Sequence, residues 1–459
     1  MKLVSLALDS VDSLHSGCTT HFSILLLKSL AGRVRLADLP LLVRLNPGVP
    51  WKTRGNGAVV LRLLYDGELG ELLDVAYNLA LEYSGGKRDV GAVIYKGEPW
   101  GVERLRWIYM RALTSIVTLD VATSTLDKLG GLHAGGRGVI GATASLAALG
   151  PGDDFTFELL AYRDPSLWGS ERCVDRLKAL HIESMLPPCT FYNVDVLTGE
   201  FISSPGGSDP VLAGFRGNCL TQLFEYSKVL CEKPHFWALF RTNQHTDAHL
   251  VELDELAPYN TGYVEAVVDG EPEVVEGSHV VVRASTKLGD VDLVFYRETG
   301  PLNRVARMLM PGDRVRALGS LRPYKPRGVS VIAVEKLWVL EVARRIVEVN
   351  PRCPRCSARL KSAGLGRGFK CEKCGYEASG LSKIRVEMGR RLTPGVYVTS
   401  RLKHLTAPPG RRRLEGLKPP LNLDVGDVLF SEAHPEPPRA LRDLELSMGE
   451  PGLHNLSTI

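Results

Sequence analysis

Long apolar runs are missing from this sequence of 459 residues. No run approaches the roughly 18 residues of a membrane-spanning helix, and no basic leader with an apolar stretch and a small-residue cleavage site opens the chain. Strong charge of one sign is missing too, because the formal net charge is only +4, which permits a nucleic-acid partner without requiring one. We therefore expect a soluble, cytoplasmic protein without a membrane partner.

Cysteine is too sparse and too unevenly spaced for a secreted disulfide framework. The chain has nine cysteines, and four of them form two C-x2-C pairs, Cys353 with Cys356 and Cys371 with Cys374. Four thiolates at this spacing surround Zn2+ and leave no position for water, so we predict a structural zinc ribbon. Redox pairs or an iron centre are the alternatives. The insert between the pairs carries cations that suit phosphate contacts, namely Lys361, Arg367 and Lys370.

Internal repeats and long low-complexity tracts are also missing. The length then predicts about three or four domains. Residues 260–345 show three strand patterns, a helical piece and two more strand patterns, the order of a five-stranded OB barrel. Such a barrel is either a structural module or a nucleic-acid binder. Its suitable basic and aromatic contacts are Arg283, Tyr296, Arg297, Arg316, Tyr324 and Lys325.

The first thirty residues carry the densest chemistry. Lys2 to Leu8 alternates as a half-buried strand, Asp9 and Asp12 follow it, and an apolar-striped helix begins at Cys18-Thr19-Thr20 and stops at Gly32. Carboxylates at a strand end suit Mg2+, and the unpaired amides of a helix start suit phosphate oxygens. The pattern predicts a site for a metal-bound nucleotide. Turn and capping roles for the same acidic residues are the alternative.

Two glycine-containing loops are further candidates for phosphate binding. Residues 51–59 read W-K-T-R-G-N-G-A-V and place Lys52 and Arg54 beside backbone that can approach a ligand closely. A hairpin with solvated basic residues is the alternative. Residues 136–141 satisfy G-x-G-x-x-G, but no strand pattern runs directly into them, which makes the dinucleotide interpretation weak. A glycine linker between domains is the alternative there.

Other stretches are less specific. Residues 66–107 read as helix, loop and helix, residues 155–163 as a strand, and a helix is expected to run through residue 231. Asp195, Asp209 and Arg216 are the polar residues of interest between them. The connector from 240 to 250 contains His245, Asp247 and His249, whose spacing fits no standard metal site and suits a hydrogen-bonded connector. Basic clusters at 389–391 and 410–413 either contact a nucleic-acid backbone or are part of a solvated extension.

Several of these segments resemble one family. The run L-D-S-V-D-S-L-H-S-G-C-T-T is similar to the opening signature of the archaeal tRNA(Ile) 2-agmatinylcytidine synthetases, G-I-D-D-T-D-S-x-x-G-M-C-T-T. N-P-G-V-P-W-K-T-R-G-N-G-A, G-R-G-V-I-G-A, P-G-G-S-D-P-V-L-A-G-F-R-G and F-R-T-N-Q-H-T-D-A-H-L resemble further segments of that family. The match departs at Ala7, Ser10, Val11 and Ser16-Gly17, and Ser10 stands where the family has a second aspartate.

The resemblance implies an α+β multidomain fold. It places an N-terminal α/β kinase-like domain at 1–130, a ferredoxin-like catalytic domain at 131–240, the OB barrel at 241–345, the zinc ribbon at 350–380 and a basic extension at 381–459. It also implies an ATP-dependent ligase that attaches agmatine to C2 of the wobble cytidine of tRNA(Ile) with a CAU anticodon, so that the tRNA reads AUA. ATP would become AMP and two phosphates, and a phosphorylated cytidine would be the intermediate.

The resemblance also implies roles for particular residues. Asp9 and Asp12 would hold Mg2+, and Thr19 would be the phosphoacceptor, with Thr20 as the neighbouring alternative. The residues expected to contact ATP phosphates are Lys52, Arg54, Gly55, Asn56, Gly57 and Arg137. Agmatine is a dication, so Asp195 and Asp209 are the carboxylates expected to bind it. A non-catalytic RNA-binding protein is the alternative function, and a nicotinamide-dependent enzyme is a third.

Overall fold

The structure, a computed structural model, describes residues 1–12, 17–52, 55–195, 198–364, 366–400, 403–415 and 417–448. Within these ranges, none of the helices combines the length and the apolar character that spanning a bilayer requires.

The first part of the chain builds one half of a large sheet. Its elements are β1 (Lys2–Asp9), α1 (Thr19–Ser29), β2 (Arg35–Leu36), β3 (Leu41–Arg44), β4 (Gly57–Tyr65), α2 (Leu69–Tyr83), β5 (Gly91–Lys96), α3 (Glu103–Thr114), α4 (Leu119–Lys128), β6 (Leu132–Gly135) and α5 (Gly138–Leu146). The predicted opening strand and helix are confirmed as β1 and α1. The prediction of helix, loop and helix over 66–107 is confirmed for α2 and for the start of α3, but it missed β5, which lies between them and pairs with β1. A six-residue apolar strand without alternation is hard to distinguish from a buried helix.

The second part completes the sheet. Its elements are β7 (Thr156–Tyr162), α6 (Arg176–Met185), β8 (Val194–Asp195), β9 (Glu200–Phe201), β10 (Val211–Gly217) and β11 (Phe236–Thr242). The helix expected to run through residue 231 is a 3-10 helix that ends at Val229. The order across the sheet is β10-β7-β11-β3-β4-β1-β5-β6, and β11 pairs with β3 in parallel. One sheet therefore spans the predicted boundary at residue 130, and the domain boundaries remain predictions.

A buried ionic cluster fastens the two halves of the sheet together. The Asp38 carboxylate accepts hydrogen bonds from Arg62, at 2.8 Å, and from Arg241 on β11. Both guanidinium groups also donate to the carbonyl of Leu149, just beyond the end of α5. Cations at a helix C-terminus are stabilised by the helix dipole. Removing one partner of such a buried cluster costs about 3–5 kcal/mol, so this contact fixes α5 against the centre of the sheet.

The predicted barrel is confirmed as a closed β-barrel. Its elements are β12 (Thr261–Val268), β13 (Glu273–Val274), β14 (Val280–Thr286), β15 (Gly289–Phe295), α7 (Pro301–Ala306), β16 (Arg314–Leu321) and β17 (Ser330–Glu341). β12 pairs with both β14 and β16, and β15 pairs in parallel with β17, so the five long strands close on themselves. The barrel encloses a hydrophobic core of its own.

The zinc ribbon stands on a two-stranded stalk, and the chain then returns to the rest of the molecule. The remaining elements are β18 (Arg345–Val349), β19 (Lys361–Ser362), β20 (Phe369–Lys370), β21 (Glu377–Ala378), β22 (Ile384–Met388), β23 (Gly395–Val398), β24 (Leu429–Phe430) and α8 (Arg439–Ser447). β18 pairs with β22 on either side of the ribbon. β23 then joins barrel strand β17, and β24 joins β11 of the large sheet.

A disulfide joins Cys189 to Cys219, across 30 positions of sequence. It links the segment after α6 to the end of β10, where the Asn218 amide also donates to the Cys189 carbonyl at 2.7 Å. The sequence did not predict this bond, since pairings among cysteines outside a recognised spacing cannot be deduced from sequence.

The segment from 240 to 250 is a hydrogen-bonded connector between the large sheet and the barrel. His249 pairs with Glu335 and Asp247 with Lys336, both on β17, and His245 Nδ1 lies 3.1 Å from the Thr406 carbonyl oxygen. Among the described residues, the only group of three or more His, Cys, Asp or Glu side chains with metal-ligand geometry is the set of four cysteines. The connector interpretation of these residues is therefore the correct one.

Candidate active site

The acidic turn after β1 leads directly to the start of α1. Ser10 adopts a left-handed backbone conformation with φ of 61°, which turns the chain away from the sheet. The Val11 amide then donates to Thr19 Oγ1 at 3.2 Å, and Cys18 caps α1 by accepting from the His21 amide at 3.5 Å. No acidic residue lies in the first turn of α1. The positive end of this helix is therefore available to an anion.

The glycine motif at 136–141 lets α5 pack against Asp9. A β-carbon on Gly141 would lie 1.9 Å from Asp9 Oδ2, and one on Gly138 would lie 2.7 Å from the Asp9 carbonyl oxygen. The interpretation of this motif as a linker is therefore wrong. A strand also leads directly into the motif, against expectation, because β6 ends at Gly135. β6 was not predicted because it has only four residues with little apolar character, which form no recognisable strand pattern. The motif therefore places the buried start of α5 against Asp9, the candidate metal ligand.

Asp9 and Asp12 lie close enough to interact electrostatically. Burial, with a smaller contribution from Asp12, raises the pKa of Asp9 to about 7. Asp12 Oδ1 lies 3.7 Å from Lys87 Nζ, which also donates to the Asp12 carbonyl at 3.1 Å. Two neighbouring carboxylates are oxygen ligands of the type that Mg2+ prefers. The donor set fits a magnesium ion even though Ser10 replaces one aspartate of the family signature.

Three of the predicted phosphate contacts have other roles in the structure. Lys52 Nζ donates to the carbonyl of Val49 at 3.0 Å and to that of Pro47, so it stabilises its own turn. Asn56 has a positive φ of 53° and donates to the Asn46 carbonyl at 2.9 Å. Arg137 is exposed and pairs with Asp89 at 3.0 Å. A fourth, Arg54, lies outside the described residues, so all four remain predictions.

The two loop glycines make room for an arginine side chain. A β-carbon on Gly55 would lie 2.9 Å from Arg44 Nη1, and one on Gly57 would lie 2.8 Å from the same atom. The Arg44 backbone is held from both sides by Asn243, which accepts from its amide at 2.7 Å and donates to its carbonyl at 2.8 Å. The absence of side chains at Gly55 and Gly57 thus shapes a place for the Arg44 guanidinium.

A cavity of about 310 Å³ joins these features. It lies between the two halves of the large sheet, and five of the predicted site residues line it, namely Asp12, Thr19, Gly55, Gly57 and Asp209. Residues that the sequence analysis assigned no role complete its polar lining, namely Cys18, Arg44, Glu158, Ser203, Ser204 and His404. Thr20 and Arg216 also line it.

A hydrogen-bonded relay crosses the wall of the cavity. Arg216 Nη2 pairs with Glu158 Oε1 at 2.9 Å, and the other oxygen of Glu158 accepts from the Gln244 amide nitrogen. Gln244 Oε1 therefore faces His404 Nδ1, at 2.9 Å, as an acceptor. This arrangement assigns the proton of His404 to Nδ1 and leaves Nε2 as an acceptor. Burial and the nearby Arg44 and Arg216 hold the pKa of His404 well below its usual range, so the ring is neutral.

His404 reaches the cavity from a segment far along the chain. The amides of His245 and Asp247 donate to the carbonyls of His404 and Leu405, each at 2.8 Å. Arg411 lies further along the same segment and is buried in a bidentate pair with Asp154. At least this member of the basic cluster at 410–413 is therefore used inside the protein and is not presented to solvent.

The two agmatine candidates lie in different places. Asp209 is buried beside the cavity, accepts from the Val211 amide at 2.9 Å, and has its carbonyl held by Arg172 at 2.7 Å. Asp195 lies in the β8–β9 hairpin, where its carbonyl accepts from the Gly199 amide at 2.7 Å. It is not among the residues that line the cavity. The structure thus brings only Asp209 together with Asp12 and Thr19.

The barrel offers an aromatic and basic surface. The hydroxyl oxygens of Tyr296 and Tyr324 lie 3.5 Å apart, and Arg322 lies over the Tyr296 ring, 5.8 Å from its centroid. Arg316 lies over Tyr263 and pairs with Glu265. Aromatic rings with neighbouring cations are typical of surfaces that bind single-stranded nucleic acid, because bases can stack on the rings.

The four ribbon cysteines fit a zinc ion. One ligand atom from each of Cys353, Cys356, Cys371 and Cys374 lies within 4.8 Å of all the others. Two of these thiols are buried beside Leu360 and Phe369, in a small core that is separate from the other two. Four sulfur ligands and a closed shell are the features of a structural site.

A polar cavity beside a helix start, a closed β-barrel and a zinc ribbon together define a class, that of enzymes that act on a folded RNA. The chain belongs to the family of tRNA(Ile) 2-agmatinylcytidine synthetases, TiaS. It matches the family models described as the TiaS TCKD domain over residues 5–69, the TiaS FLD domain over 136–249 and the TiaS C-terminal zinc ribbon domain over 350–392.

The family is shown by relatives that span nearly the whole chain. The 2-agmatinylcytidine synthetase TiaS of Acidilobus saccharovorans is 46% identical over 93% of this chain and 99% of the relative. That of Staphylothermus marinus is 38% identical over 88% and 93%. The crystal structure of TiaS in complex with its isoleucine tRNA and ATP is similar with a TM-score of 0.80, at 33% identity over 91% of this chain and 99% of that chain. A TiaS complex with the same tRNA, AMPCPP and agmatine gives a TM-score of 0.78 at 31% identity, with the same coverage.

Proposed function

We propose that this protein attaches agmatine to the isoleucine tRNA with a CAU anticodon in an ATP-dependent reaction. The observation that carries the proposal is the cavity that joins Asp12 and Thr19, from the start of the chain, to Asp209 and Arg216, from the second half of the sheet. Family relatives with an isoleucine tRNA, ATP, an ATP analogue and agmatine bound support the same reaction.

The chemistry requires activation of the base. The 2-oxo group of cytosine is a poor leaving group. Transfer of a phosphoryl group from ATP to that oxygen, with cleavage of a phosphoanhydride bond of ATP, makes it a good one. The primary amine of agmatine then attacks C2, a C–N bond forms, and the C2–O bond breaks as phosphate leaves. Because the wobble base must leave its stack to enter the cavity, separate modules are needed to hold the tRNA. The barrel and the ribbon are suited to that task.

The residues divide the work by charge. Asp9 and Asp12 would hold Mg2+, which screens the charge of the phosphates when bound. Thr19 would accept a phosphoryl group, with Thr20 as the alternative, and Arg216 and the helix start would stabilise negative charge. The Asp209 carboxylate would attract the agmatine dication. Lys52, Arg54 and Arg137 remain proposed contacts of the phosphates, and Asp195 a second proposed contact of agmatine.

The domain assignment is part of the same proposal. We assign a kinase-like role to residues 1–130 and a ferredoxin-like fold to 131–240. The barrel takes 241–345, the ribbon 350–380, and the extension 381–459. The β3–β11 pairing and the shared cavity support the proposal that the first two units work as one body.

A purely RNA-binding role is not favoured. The cavity wall buries Glu158, Arg216 and Gln244, and burying such groups costs free energy that a binding surface on the barrel does not require. Selection for chemistry at the cavity explains why the groups are there.

ATP consumption in the presence of agmatine and tRNA tests the catalytic assignment. Asp12→Asn removes a carboxylate from the cavity and is expected to abolish turnover, while the exposed Asp120→Asn on α4 serves as the matched control. Unchanged turnover in Asp12→Asn would contradict the catalytic role assigned to Asp12. Intact tRNA binding by both variants is expected, because neither residue lies on the barrel or the ribbon.

A further inference from the structure

Arg44 lies at the edge of the cavity, and its guanidinium has no partner among the residues that the structure describes. Its Nε atom is buried and makes no hydrogen bond, and among the described residues no acceptor or carboxylate is paired with its guanidinium. Burial lowers the pKa of Arg44 to about 10, which leaves the group charged at neutral pH. Leaving a buried donor without a hydrogen-bond partner is destabilising, and more so when the donor is charged. A fold that retains such a group places it there for a ligand that the protein alone does not supply.

The carboxylates near Arg44 are committed elsewhere. Glu158 pairs with Arg216 and also accepts from Gln244. Asp209 accepts from the Val211 amide, and Asp12 lies beside Lys87. The Nε atom of Arg216 is buried as well, and it too has no hydrogen-bond partner within the described part of the chain. Two guanidinium groups with unused donors therefore face the same cavity.

The remaining neighbours also favour an anion. The first turn of α1, at Thr19 and Thr20, borders the cavity with no acidic side chain of its own. The neutral His404 adds no positive charge but lies beside Arg44, since a β-carbon on Gly55 would touch both side chains. Helix-start amides and a forked guanidinium are the donors that proteins use to hold a tetrahedral phosphoryl group.

We propose that Arg44, with Arg216 and the first turn of α1, forms a subsite for a phosphoryl group beside Thr19. The proposal rests on the proposed function and names which residues hold the reacting phosphate. Two sources share this chemistry: the terminal phosphate of ATP, and the phosphoryl group after it has left the nucleotide. Arg44 is then a binding residue of the reaction and has no structural role of its own, apart from its backbone bonds to Asn243.

The test compares Arg44→Met and Arg44→Lys with the wild type, and uses the exposed Arg33→Met as a matched control. Binding of ATP, ADP and inorganic phosphate is measured for each, together with the unfolding temperature without ligand. Loss of hydrogen bonds to a charged group predicts affinity weakened by about 10- to 100-fold in Arg44→Met. Arg44→Lys is expected to recover only part of it, because lysine lacks the fork.

The pattern of losses identifies the source of the phosphate. Weaker binding of ATP with unchanged ADP indicates the terminal phosphate. Unchanged ATP with loss of inorganic phosphate indicates the transferred group. Both outcomes require that the unfolding temperature of ligand-free Arg44→Met is unchanged or raised, since an unpaired buried charge has been removed. Equal affinities in all variants, or a clear fall in that unfolding temperature, would overturn the subsite.

These binding measurements do not depend on agmatine or tRNA. If the wild type binds ATP through Arg44 but never labels tRNA with agmatine, the proposed reaction fails and the subsite stands. If agmatine is incorporated but Arg44→Met binds and reacts like the wild type, the subsite fails and the proposed reaction stands.

Discussion

Gly141 controls the position of Asp9. Any β-carbon at this position would overlap with Asp9 Oδ2, from which it would lie 1.9 Å away. Gly141→Ala is therefore expected to displace the carboxylate, and a shift of this size costs about 100-fold in rate when it misplaces a reacting group. The measurement is agmatine- and tRNA-dependent ATP consumption. Gly70→Ala is the matched control, because Gly70 lies in α2 with open space around its α-carbon. Equal rates in the two variants would contradict the role of Gly141.

His21 makes stability dependent on pH. It lies among the rings of Tyr83, Tyr162 and Phe236, and burial lowers its pKa to about 4 from an ordinary value of 6.5. The unfolded chain takes up this proton below about pH 6.5 and the folded protein only below about pH 4. The free energy of unfolding should therefore fall by roughly 1.4 kcal/mol per pH unit between these values as the solution is acidified.

The measurement is denaturant unfolding of the wild type and His21→Asn from pH 7 to pH 4. The difference between their free energies of unfolding should shrink by about 3 kcal/mol across the range, because only the wild type carries the buried imidazole. A difference that is constant with pH would show that His21 is protonated equally in both states.

Single residues differ in how far the sequence reveals them. Asp12, Thr19 and Asp209 stand in recognisable strings, and the structure brings all three into one cavity. Glu158 is recognisable in the sequence as a charged residue inside the apolar strand FTFELLAY, which is typical of a buried functional group. His404 gave none, because a histidine in a short irregular segment acquires its role only when that segment packs against β11 and the connector. Lys52 shows the opposite case, a cation near glycines that satisfies carbonyls of its own turn.

The segment that follows the ribbon, from residue 403 onward, is a structural part of the large sheet. The sequence favoured neither a tRNA-binding role nor a solvated one, because its strands are short and its apolar residues are scattered. In the structure Leu405, Leu423 and Phe430 belong to the main hydrophobic core, and β24 pairs with β11.

Removal of residues 403–459 is therefore expected to destabilise the large sheet, and not simply to weaken tRNA binding. Each lost large apolar side chain alone removes about 1.5–3 kcal/mol of burial. The measurement is the unfolding temperature of the truncated protein, with the truncation at 449 as control because it keeps every described element. A truncated protein that unfolds like the full chain would show that the segment only lies on the surface.

Elements with strong periodicity were predictable and short ones were not. The opening strand and helix and the five barrel strands follow clear patterns, and the structure has them where the sequence predicted them. β5 and β6 were missed because a short buried strand and a four-residue edge strand show no alternation. The pairing of β3 with β11 could not be predicted from the sequence either. It joins residues about two hundred positions apart, and only tertiary packing decides its register.

At the scale of the whole molecule, no described residue of the barrel strands or of the ribbon lines the cavity. The ribbon has a small core of its own around the four cysteines and is joined to the barrel by β18 and β22. Removal of zinc by a chelator, or Cys371→Ser, is expected to unfold the ribbon, because such small metal domains depend on the metal for folding.

ATP binding should survive this loss, while affinity for the isoleucine tRNA falls. The measurements are ATP affinity and tRNA affinity with and without chelator, and Cys173→Ser is the control because Cys173 is an exposed thiol outside the ribbon. Equal loss of ATP and tRNA binding would contradict the separation of the two functions.

The most direct test is a single incubation of the purified protein with ATP, Mg2+, radiolabelled agmatine and an isoleucine tRNA transcript with a CAU anticodon. A methionine transcript with the same anticodon is the control. We predict label in the isoleucine transcript alone, and only when ATP is present. Absence of label while the isoleucine transcript still binds would contradict the account and would leave a binding protein with a degenerate acidic turn at Ser10.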